Sequence, residues 1–552
     1  MSGTTDEKIR LFEPEKYLGH VIQVDVGFLV VSGDSSTGSL DAARIGSFVI
    51  IHGDDVGFVG QVSKISNVPS STGNGVAPAY HIQMLVVMSL ENGKLVPQGQ
   101  RSPYIGAKTF SVPGDLVRGL VEASQDISQS GVSLTLDFCR LQEGAVKVHL
   151  TPEMMFGRHC AIIGSTGGGK SWSIARMVEQ LARYNSKVLL LDASGEYHRQ
   201  TRGVMHVHIG YDPSPRGDSK SVTLPHSELL ESDLFAMFDP QGQAQAPKLR
   251  AAIRTLKLLA LEPTLSLNGM LIKADKAKKR FLDAYRKHIT ALEAPSGRFD
   301  VHSLGTQIEN ECVHPNRSSI ENDYWGSFSA SEYAACIPMI NRIEDMVNSL
   351  SFSPFFQPQN SPSLIACLRA FIKDPEYRIF CVSLEHLAFQ HNVRPMVVNS
   401  VGRFLLNEAR MGQFQQKPFL IVLDEAHQFL NENANRKDTQ YPLDSFRLIA
   451  NEGRKYGLNL CLATQRPRDI PEDILSQAGT FLVHRLVNDF DRNIIERASG
   501  QADSSVIGRL PTLSPGEAIL MSCDLDFPLL VAVEPPDAKP DSNSADFQRC
   551  WS

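Results

Sequence analysis

The chain has 552 residues, of which 54 are basic and 61 acidic, and its formal net charge is -7. This length exceeds one ordinary hydrophobic core and predicts two to four structural units. The acidic balance excludes a general attraction to polyanions, so any contact with nucleic acid must be local. The nine cysteines lie singly, without a CxxC pair, which argues against a disulfide framework and against a zinc cluster.

The first residues, MSGTTDEKIRLFEPEKY, are charged and lack an apolar core. They do not resemble a signal peptide, and no later apolar run is long enough to span a bilayer. Scattered single cysteines are typical of a reducing compartment. We therefore expect a cytoplasmic protein that has no membrane-spanning segment.

Short β-rich runs alternate with turn residues from about Tyr17 to Met88. The runs are HVIQVDVGFLVVS, GSFVIIHG, VGFVGQVSKIS and YHIQMLVVMSL, and the segment PSSTGNGVAPA has the composition of a loop. Strands at this spacing predict a small barrel or sandwich. We place this N-terminal domain at residues 1–100.

Strand-length apolar runs alternate with helical patterns from about Leu150 onward. These runs are HCAIIG, KVLLLDASG, YRIFCVSL, PFLIVLDEA, LNLCLATQ and GTFLVHRL. Continuous apolar strands are buried on both faces, which predicts a parallel sheet covered by helices. The expected fold class is therefore α/β, with the core at residues 101–225 and 349–526.

A helical insertion is predicted at residues 226–348, between the second and third apolar runs. One of its segments, KADKAKKRFLDAYRKHITALEA, is rich in lysine and arginine. This charge fits a solvated helix face or, alternatively, a surface for nucleic acid or a partner. The end of the chain is rich in proline and aspartate, so we expect residues 527–552 to form a C-terminal arm outside the core.

The stretch AIIGSTGGGKSWS places four glycines and a lysine between an apolar run and a helical pattern. It fits the pattern G-x-x-x-x-G-K-[ST], and this context disfavours an incidental glycine-rich turn. Bare backbone N–H groups bind phosphate oxygens, while Lys170 is suited to the β/γ-phosphates and Ser171 to Mg²⁺. The expected nucleotide-binding residues are Gly164, Ser165, Thr166, Gly167, Gly168, Gly169, Lys170, Ser171 and Trp172.

The run FLIVLDEAHQF ends in two carboxylates. Asp424 is suited to hold Mg²⁺ through water, and Glu425 is suited to polarise the attacking water. The alternative is a surface acidic pair at a strand end, which the phosphate loop earlier in the chain disfavours. The glutamate beside Asp424 favours hydrolysis over transfer to a substrate hydroxyl.

The segment NEGRKYGLNLCLATQRPRDIP adds two candidates. Gln465 closes a core strand, where its amide is suited to sense the γ-phosphate. Arg454 lies at the end of the preceding helix and is suited to stabilise transition-state charge from a neighbouring subunit. The alternatives are a hydrogen-bonding residue at a strand end and a solvated helix residue.

Five motifs, in this order, resemble the HerA branch of the HerA–FtsK superfamily of hexameric DNA-pumping ATPases: GSTGGGKS, LLLDASGEYH, IVLDEAHQFL, NEGRKYG and LATQRP. The resemblance implies a RecA-like P-loop NTPase core, an N-terminal barrel, a homo-hexamer with ATP and Mg²⁺ at its subunit boundaries, and double-stranded DNA in its pore. It also implies that Arg158 lies near the nucleotide, although a solvated residue at a strand start is an equal alternative. Glu196 lies in a family motif without an assigned chemical role.

The family that these motifs resemble commonly acts with an effector: a NurA-type nuclease in DNA end processing, or a nuclease or sirtuin-like NAD-degrading enzyme in anti-phage defence. The resemblance thus implies an ATP-dependent DNA translocase or helicase with an effector docked on the barrel. The alternative is an ATP-regulated ring scaffold that activates its effector without long-range pumping. Chain length, Glu425 and the TQRP segment disfavour a small-molecule kinase. One departure from the family pattern, the polar segment NENANRKDTQYPLDSF, is expected to face the pore or a partner.

Overall fold

A computed structural model of the chain describes residues 11–25, 27–33, 43–69, 76–91, 93–96, 101–125, 134–142, 146–211, 218–294, 297–318, 322–357, 361–430, 443–500, 504–525, 527–542 and 551. The chain divides into two compact units, each built from separate stretches of sequence. The first comprises residues 1–184, 459–468 and 472–539, and the second comprises residues 185–458, 469–471 and 540–552. Most of the NENANRKDTQYPLDSF segment and of the PSSTGNGVAPA loop lies outside the described residues.

The N-terminal strands of the first unit form a closed barrel. They are β1 (Tyr17–Val24), β2 (Phe28–Gly33), β3 (Phe48–His52), β4 (Val56–Pro69), β5 (Val76–Ser89), β6 (Leu95–Val96) and β7 (Lys108–Ser111). Six of them run in the order β2-β1-β7-β3-β4-β5, and β5 pairs again with β2 to close the ring, while β6 extends β5. Inward side chains such as Val21, Val49 and Ile82 are fully buried, as the alternation of a barrel strand requires. The barrel expected from the sequence is confirmed, and β7 lies beyond the expected boundary at residue 100.

A second sheet of the first unit carries the phosphate-loop stretch. Its strands are β8 (Leu136–Leu141), β9 (Lys147–Leu150), β10 (Cys160–Ile163), β16 (Leu458–Thr464), β17 (Thr480–His484), β18 (Glu517–Ser522) and β19 (Leu529–Val533). They run in the order β16-β10-β17-β18-β19-β8-β9. β10 is parallel to both of its neighbours and is buried along its whole length. The parallel core expected around HCAIIG is therefore present.

Two features of this region go beyond what the sequence predicted. The strands beyond β17 are antiparallel, and they extend the parallel core that the sequence predicted. Residues 527–552 were expected to form an arm, yet β19 pairs with both β18 and β8. Leu529 and Val531 are fully buried, so a short alternating apolar strand precedes the proline- and aspartate-rich end of the chain.

The second unit contains an all-parallel run of strands. These are β11 (Lys187–Asp192), β12 (Val204–Ile209), β13 (Lys220–Val222), β14 (Ile379–Ser383) and β15 (Phe419–Leu423), in the order β13-β12-β14-β11-β15. β11, β14 and β15 were expected from their continuous apolar sequences. β12 and β13 were not predicted, because histidines interrupt the apolar pattern of β12 (VMHVHI) and β13 has only three residues.

The helices of both units include α1 (Gly114–Ser124), α2 (Pro152–Phe156), α3 (Lys170–Leu181), α4 (Glu231–Phe238), α5 (Gly242–Leu261), α6 (Lys279–Lys287), α7 (Ile289–Leu292), α8 (Leu304–Glu311), α9 (Ala330–Asn348), α10 (Ser353–Phe356), α11 (Leu364–Lys373), α12 (Val393–Arg410), α13 (Ser445–Glu452), α14 (Glu472–Leu475), α15 (Asp489–Ser499) and α16 (Ser504–Arg509). Six of the α-helices in the described residues, α4 to α9, fall within the expected insertion. None of the helices in the described stretches is both long and apolar enough to cross a membrane. The lysine-rich segment forms α6 and α7, and its role as an interaction surface stays a prediction.

Candidate nucleotide-binding and hydrolysis site

The phosphate-loop stretch joins β10 to α3 in the first unit. Gly167 and Gly169 have φ values of 74° and 121°, which L side chains rarely adopt. A Cβ atom at Gly169 would lie only 3.1 Å from the backbone nitrogen of Gly516. Lys170 is the first residue of α3 and is only 6% exposed. Its ammonium and the N–H groups at the start of α3 favour an anion at this position.

Backbone hydrogen bonds hold this loop on both sides. The N–H of Ser165 donates to the carbonyl of Arg485 at 2.9 Å, and the N–H of Gly516 donates to the carbonyl of Gly168 at 3.2 Å. These partners follow β17 and precede β18, so two strands of the sheet fix the loop. A loop held in this way is preorganised for a phosphate ligand.

His484, at the end of β17, lies beneath the phosphate loop. Its Nδ1 is 2.8 Å from the carbonyl oxygen of Glu517, and its Nε2 is 2.8 Å from the Ser173 hydroxyl. Because a carbonyl only accepts, Nδ1 carries the proton and the Ser173 hydroxyl donates to Nε2. Burial lowers the pKa of His484 to about 4; the Glu517 carbonyl opposes this shift and the Lys170 charge adds to it. A neutral imidazole thus supports the loop.

Two predicted residues meet in the loop itself. The Thr166 hydroxyl donates to Gln465 Oε1 at 2.6 Å, so the structure brings the expected sensor to the phosphate loop. Ser171 and Trp172 lie half-buried in the first turn of α3. The ammonium of Lys539 lies 5.6 Å from the centre of the Trp172 ring, a distance typical of a cation–π contact.

Arg158 lies on the turn between α2 and β10. Its carbonyl accepts a hydrogen bond from the N–H of Gly479 at 2.7 Å. Its side chain is exposed, and one guanidinium nitrogen is 3.8 Å from a carboxylate oxygen of Asp524. The backbone of Arg158 therefore has a structural contact, while a role of its side chain toward the nucleotide stays a prediction.

The acidic pair follows β15 in the second unit. Asp424 is buried, and its Oδ2 accepts a hydrogen bond from the Tyr197 hydroxyl at 3.2 Å. Glu425 has left-handed backbone angles, φ 46° and ψ 47°, and its N–H donates to Asp424 Oδ1 at 2.9 Å. The Nδ1 atom of His427 lies 3.3 Å from Glu425 Oε2. A non-glycine residue in this backbone region is strained, and such strain is concentrated at functional sites.

The turn that carries Tyr197 is built around Asp192, at the end of β11. The Asp192 carboxylate accepts hydrogen bonds from the backbone N–H groups of the next residues, including Gly195 at 2.7 Å and Tyr197 at 3.1 Å. Burial raises the pKa of Asp192 to about 6, and these backbone bonds oppose the shift. The Glu196 carboxylate accepts from the Ser194 hydroxyl at 3.1 Å. Asp192 and Tyr197 lie in the motif LLLDASGEYH but were not predicted as site residues from the sequence.

Arg454 lies in a short 3₁₀ turn, Gly453–Tyr456, directly after α13. Gly457 closes the turn with a φ of 75°, where a Cβ atom would lie 2.2 Å from the carbonyl oxygen of Phe414. The Arg454 side chain is exposed. Its action on a neighbouring subunit stays a prediction.

The first unit contains a glycine-rich phosphate loop with a buried lysine, and the second contains an Asp–Glu pair at a strand end. These features define the chain as a P-loop nucleoside triphosphatase with an α/β core and an N-terminal barrel. A model of the central domain of the helicase HerA matches residues 137–315. A probable helicase of Methanocaldococcus jannaschii is 34% identical over 90% of this chain and 92% of its own length. The chain belongs to the HerA helicase family and is an ATPase, as its five motifs indicated.

Two further proteins illustrate the range of similarity. A probable DNA double-strand break repair helicase HerA from the same archaeon is 21% identical and covers 90% of this chain and 92% of its own length. Among solved structures, the bacterial conjugative coupling protein TrwB is similar with a TM-score of 0.47 and 13% identity. That similarity covers 78% of this chain and 93% of the TrwB chain.

Proposed function

We propose that the chain is an ATP-dependent DNA translocase or helicase that works as a homo-hexamer. The observation that carries this proposal is the phosphate loop, where Gly169 leaves bare backbone and Lys170 lies buried at the start of α3. Relatives named as helicases, including a probable DNA double-strand break repair helicase, support DNA as the substrate. Because the chain is acidic, we expect its DNA contacts to be confined to basic positions along a pore.

The residues present fit ATP and Mg²⁺. The N–H groups around Gly169 and the Lys170 ammonium would bind the β/γ-phosphates, since they are donors aimed at an anion. The Ser171 hydroxyl and the Asp424 carboxylate are the hard oxygen ligands that Mg²⁺ prefers. The metal, when bound, neutralises charge on the phosphates. Glu425 would orient the attacking water and accept its proton.

The remaining predicted residues have supporting roles in this proposal. Gln465 would report the γ-phosphate to the loop, because its amide oxygen accepts from Thr166. Arg454 would act on the site of a neighbouring subunit, for which its exposure suits it. Arg158 would contribute positive charge near the nucleotide of its own or a neighbouring subunit.

An effector partner belongs to the same proposal. It would be a nuclease, such as a NurA-type enzyme, or a sirtuin-like NAD-degrading enzyme, and it would dock on the barrel formed by β1–β7. The biological setting would be anti-phage defence or DNA end processing, in the cytoplasm. The second candidate is an ATP-regulated ring scaffold, in which nucleotide binding assembles and activates the effector without long-range pumping.

Hydrolysis and assembly are tested together. The molar mass of the protein is measured in solution, alone and with ATP and duplex DNA, and ATPase rates are compared for wild type and Glu425→Gln. Glu408→Gln is a matched control, because the two glutamate side chains are 19% and 18% exposed. We expect a hexamer, DNA-stimulated hydrolysis, and a fall of at least about 100-fold in the Glu425 variant only. A monomer without a DNA response would refute the motor.

The motor and the scaffold differ in what they do to DNA. Directional displacement of a protein roadblock from duplex DNA, lost in the Lys170→Ala variant, is expected for the motor. Effector activity that persists when roadblock displacement has been abolished is expected for the scaffold. A translocation assay with the purified effector present therefore separates the two.

A further inference from the structure

Arg394 is a buried arginine for which the sequence predicted no role. It is the second residue of α12 and is only 4% exposed. Its guanidinium donates to three backbone carbonyls of the second unit: Ala193 at 3.2 Å, Glu385 at 2.9 Å and Leu387 at 3.0 Å. Ala193 follows β11, and the other two follow β14, so one side chain holds the loops at the ends of two neighbouring parallel strands.

The same guanidinium reaches the loop after β15. Its Nη1 donates to Gln428 Oε1 at 3.3 Å. Gln428 ends the 3₁₀ turn Ala426–Gln428, and its N–H donates to the carbonyl of Glu425 at 2.9 Å. Arg394 is thus linked to the left-handed backbone of Glu425 through one intervening residue.

A second path leads from Arg394 to Asp424. Ala193, whose carbonyl accepts from Arg394, follows Asp192, and the Asp192 carboxylate holds the turn that carries Tyr197. The Tyr197 hydroxyl in turn donates to Asp424 Oδ2. Two chains of contacts therefore join one guanidinium to the backbone of Glu425 and to the carboxylate of Asp424.

Phe389 covers this guanidinium. The ring centre lies 3.6 Å from Cζ of Arg394, while the side chain itself is 76% exposed. The loop returns toward α12 through His391 and Asn392, which both have positive φ values, 58° and 53°. Two consecutive strained residues persist only where surrounding contacts hold them. The cation–π contact between Phe389 and Arg394 ties the same loop to α12.

A purely structural role would be to hold these loops together, but the position of the guanidinium at the strand ends indicates a further role. The ends of β11, β14 and β15 are the carboxyl ends of adjacent parallel strands, and ligand sites in α/β sheets form at such ends. Burial lowers the pKa of Arg394 and the Glu385 charge opposes this, yet a guanidinium stays protonated. Its planar set of five donors matches several acceptors at once, which a lysine ammonium does not reproduce.

We propose that Arg394 is a positioning residue for ATP hydrolysis. It fixes the Glu425 turn and the Asp192 loop relative to each other. Phe389 shields the hydrogen bonds of the Arg394 guanidinium from water. The proposal rests on the proposed role of Glu425 as the residue that activates water. Arg394 acts through these loops and is not expected to contact the nucleotide.

The test compares Arg394→Lys with Arg403→Lys. Arg403 lies nine residues further along α12 and forms a two-pronged ion pair with the fully buried Asp233, so the control also removes a partly buried arginine fork from this helix. We expect Arg394→Lys to lower kcat about ten-fold while KM for ATP stays within about two-fold. Arg403→Lys should leave kcat and KM within about two-fold of wild type, even if its melting temperature falls as much as that of Arg394→Lys.

Several outcomes would contradict the positioning role or the proposed function. A wild-type kcat in Arg394→Lys overturns the inference. It is also overturned if kcat falls in both lysine variants and the loss simply follows the decrease in melting temperature. Phe389→Leu keeps an apolar cover without the aromatic ring, and we expect it to lower kcat less than Arg394→Lys does. Glu425→Gln is assayed alongside. Full activity in that variant would refute the proposed function, whereas an inactive Glu425→Gln with a fully active Arg394→Lys would refute only the positioning role.

Discussion

Replacing His484 with asparagine tests whether a neutral imidazole supports the phosphate loop. The asparagine amide nitrogen can occupy the place of Nδ1 and keep the hydrogen bond to the Glu517 carbonyl. The Ser173 hydroxyl, which is fully buried, then has no acceptor. A buried polar group without its partner costs about 1–3 kcal/mol, and the smaller side chain adds a cavity cost of about 1 kcal/mol. We therefore expect the free energy of unfolding to fall by about 2–4 kcal/mol at pH 7.5.

This loss should shrink in acid. The pKa of His484 is about 4 in the folded chain and about 6.5 in an unfolded one. The unfolded state thus binds more protons between these values, so the stability contributed by the neutral imidazole is complete above pH 6.5 and is lost as pH falls toward 4. A difference of about 2.5 pH units corresponds to about 3 kcal/mol. Asparagine has no such titration.

The assay is urea unfolding of wild type, His484→Asn, Ser173→Ala and the double variant, each at pH 7.5 and pH 4.5. All other titrating groups are the same in these proteins. The difference between their free energies of unfolding at the two pH values therefore reports the titration of His484. We expect the penalty of His484→Asn to decrease by about 2–3 kcal/mol at the lower pH, and the double variant to recover about 1 kcal/mol relative to additivity. An equal penalty at both pH values, or strictly additive variants, would refute the assigned hydrogen bonds.

Two further substitutions probe the phosphate loop of the first unit and the acidic pair of the second unit. Gly169→Ala places a Cβ atom against Gly516 at a φ of 121°, so we expect ATP-analogue affinity to fall at least about ten-fold, measured by fluorescence titration; unchanged affinity would show that the loop adapts. Tyr197→Phe removes the hydroxyl that donates to Asp424, and a lost hydrogen bond of about 1.4 kcal/mol corresponds to a ten-fold lower kcat. Steady-state ATPase kinetics check this second effect, and a change confined to KM would contradict it.

The sequence predicted the phosphate loop and the acidic pair because each is contained in a short local pattern. A buried apolar strand, a glycine-rich loop and a helix beginning at Lys170 follow one another within a few residues. The pair Asp424 and Glu425 likewise follows its strand directly. Gln465 was also anticipated at a strand end, although its bond to Thr166 joins residues 299 positions apart.

The supporting residues could not be predicted in the same way. His484 and Ser173 are 311 positions apart, and Arg394 and Ala193 are 201 positions apart. A lone histidine at the end of an apolar strand, or an arginine at a helix start, has no distinctive local pattern. Their roles arise only when strand order brings distant loops together, and one sequence does not fix that order.

The strained backbone of the second unit explains why such support is needed. Glu425 has left-handed angles directly after a buried strand, and His391 and Asn392 have them in the loop beside Arg394. Each such residue costs about 1–3 kcal/mol unless neighbouring contacts offset it. The Arg394 guanidinium donates to Glu385, in the loop that contains His391 and Asn392. It also donates to Gln428, in the turn that follows Glu425. A single buried cation therefore stabilises both, which makes the carboxylate of Glu425 part of a preorganised arrangement rather than a mobile surface group.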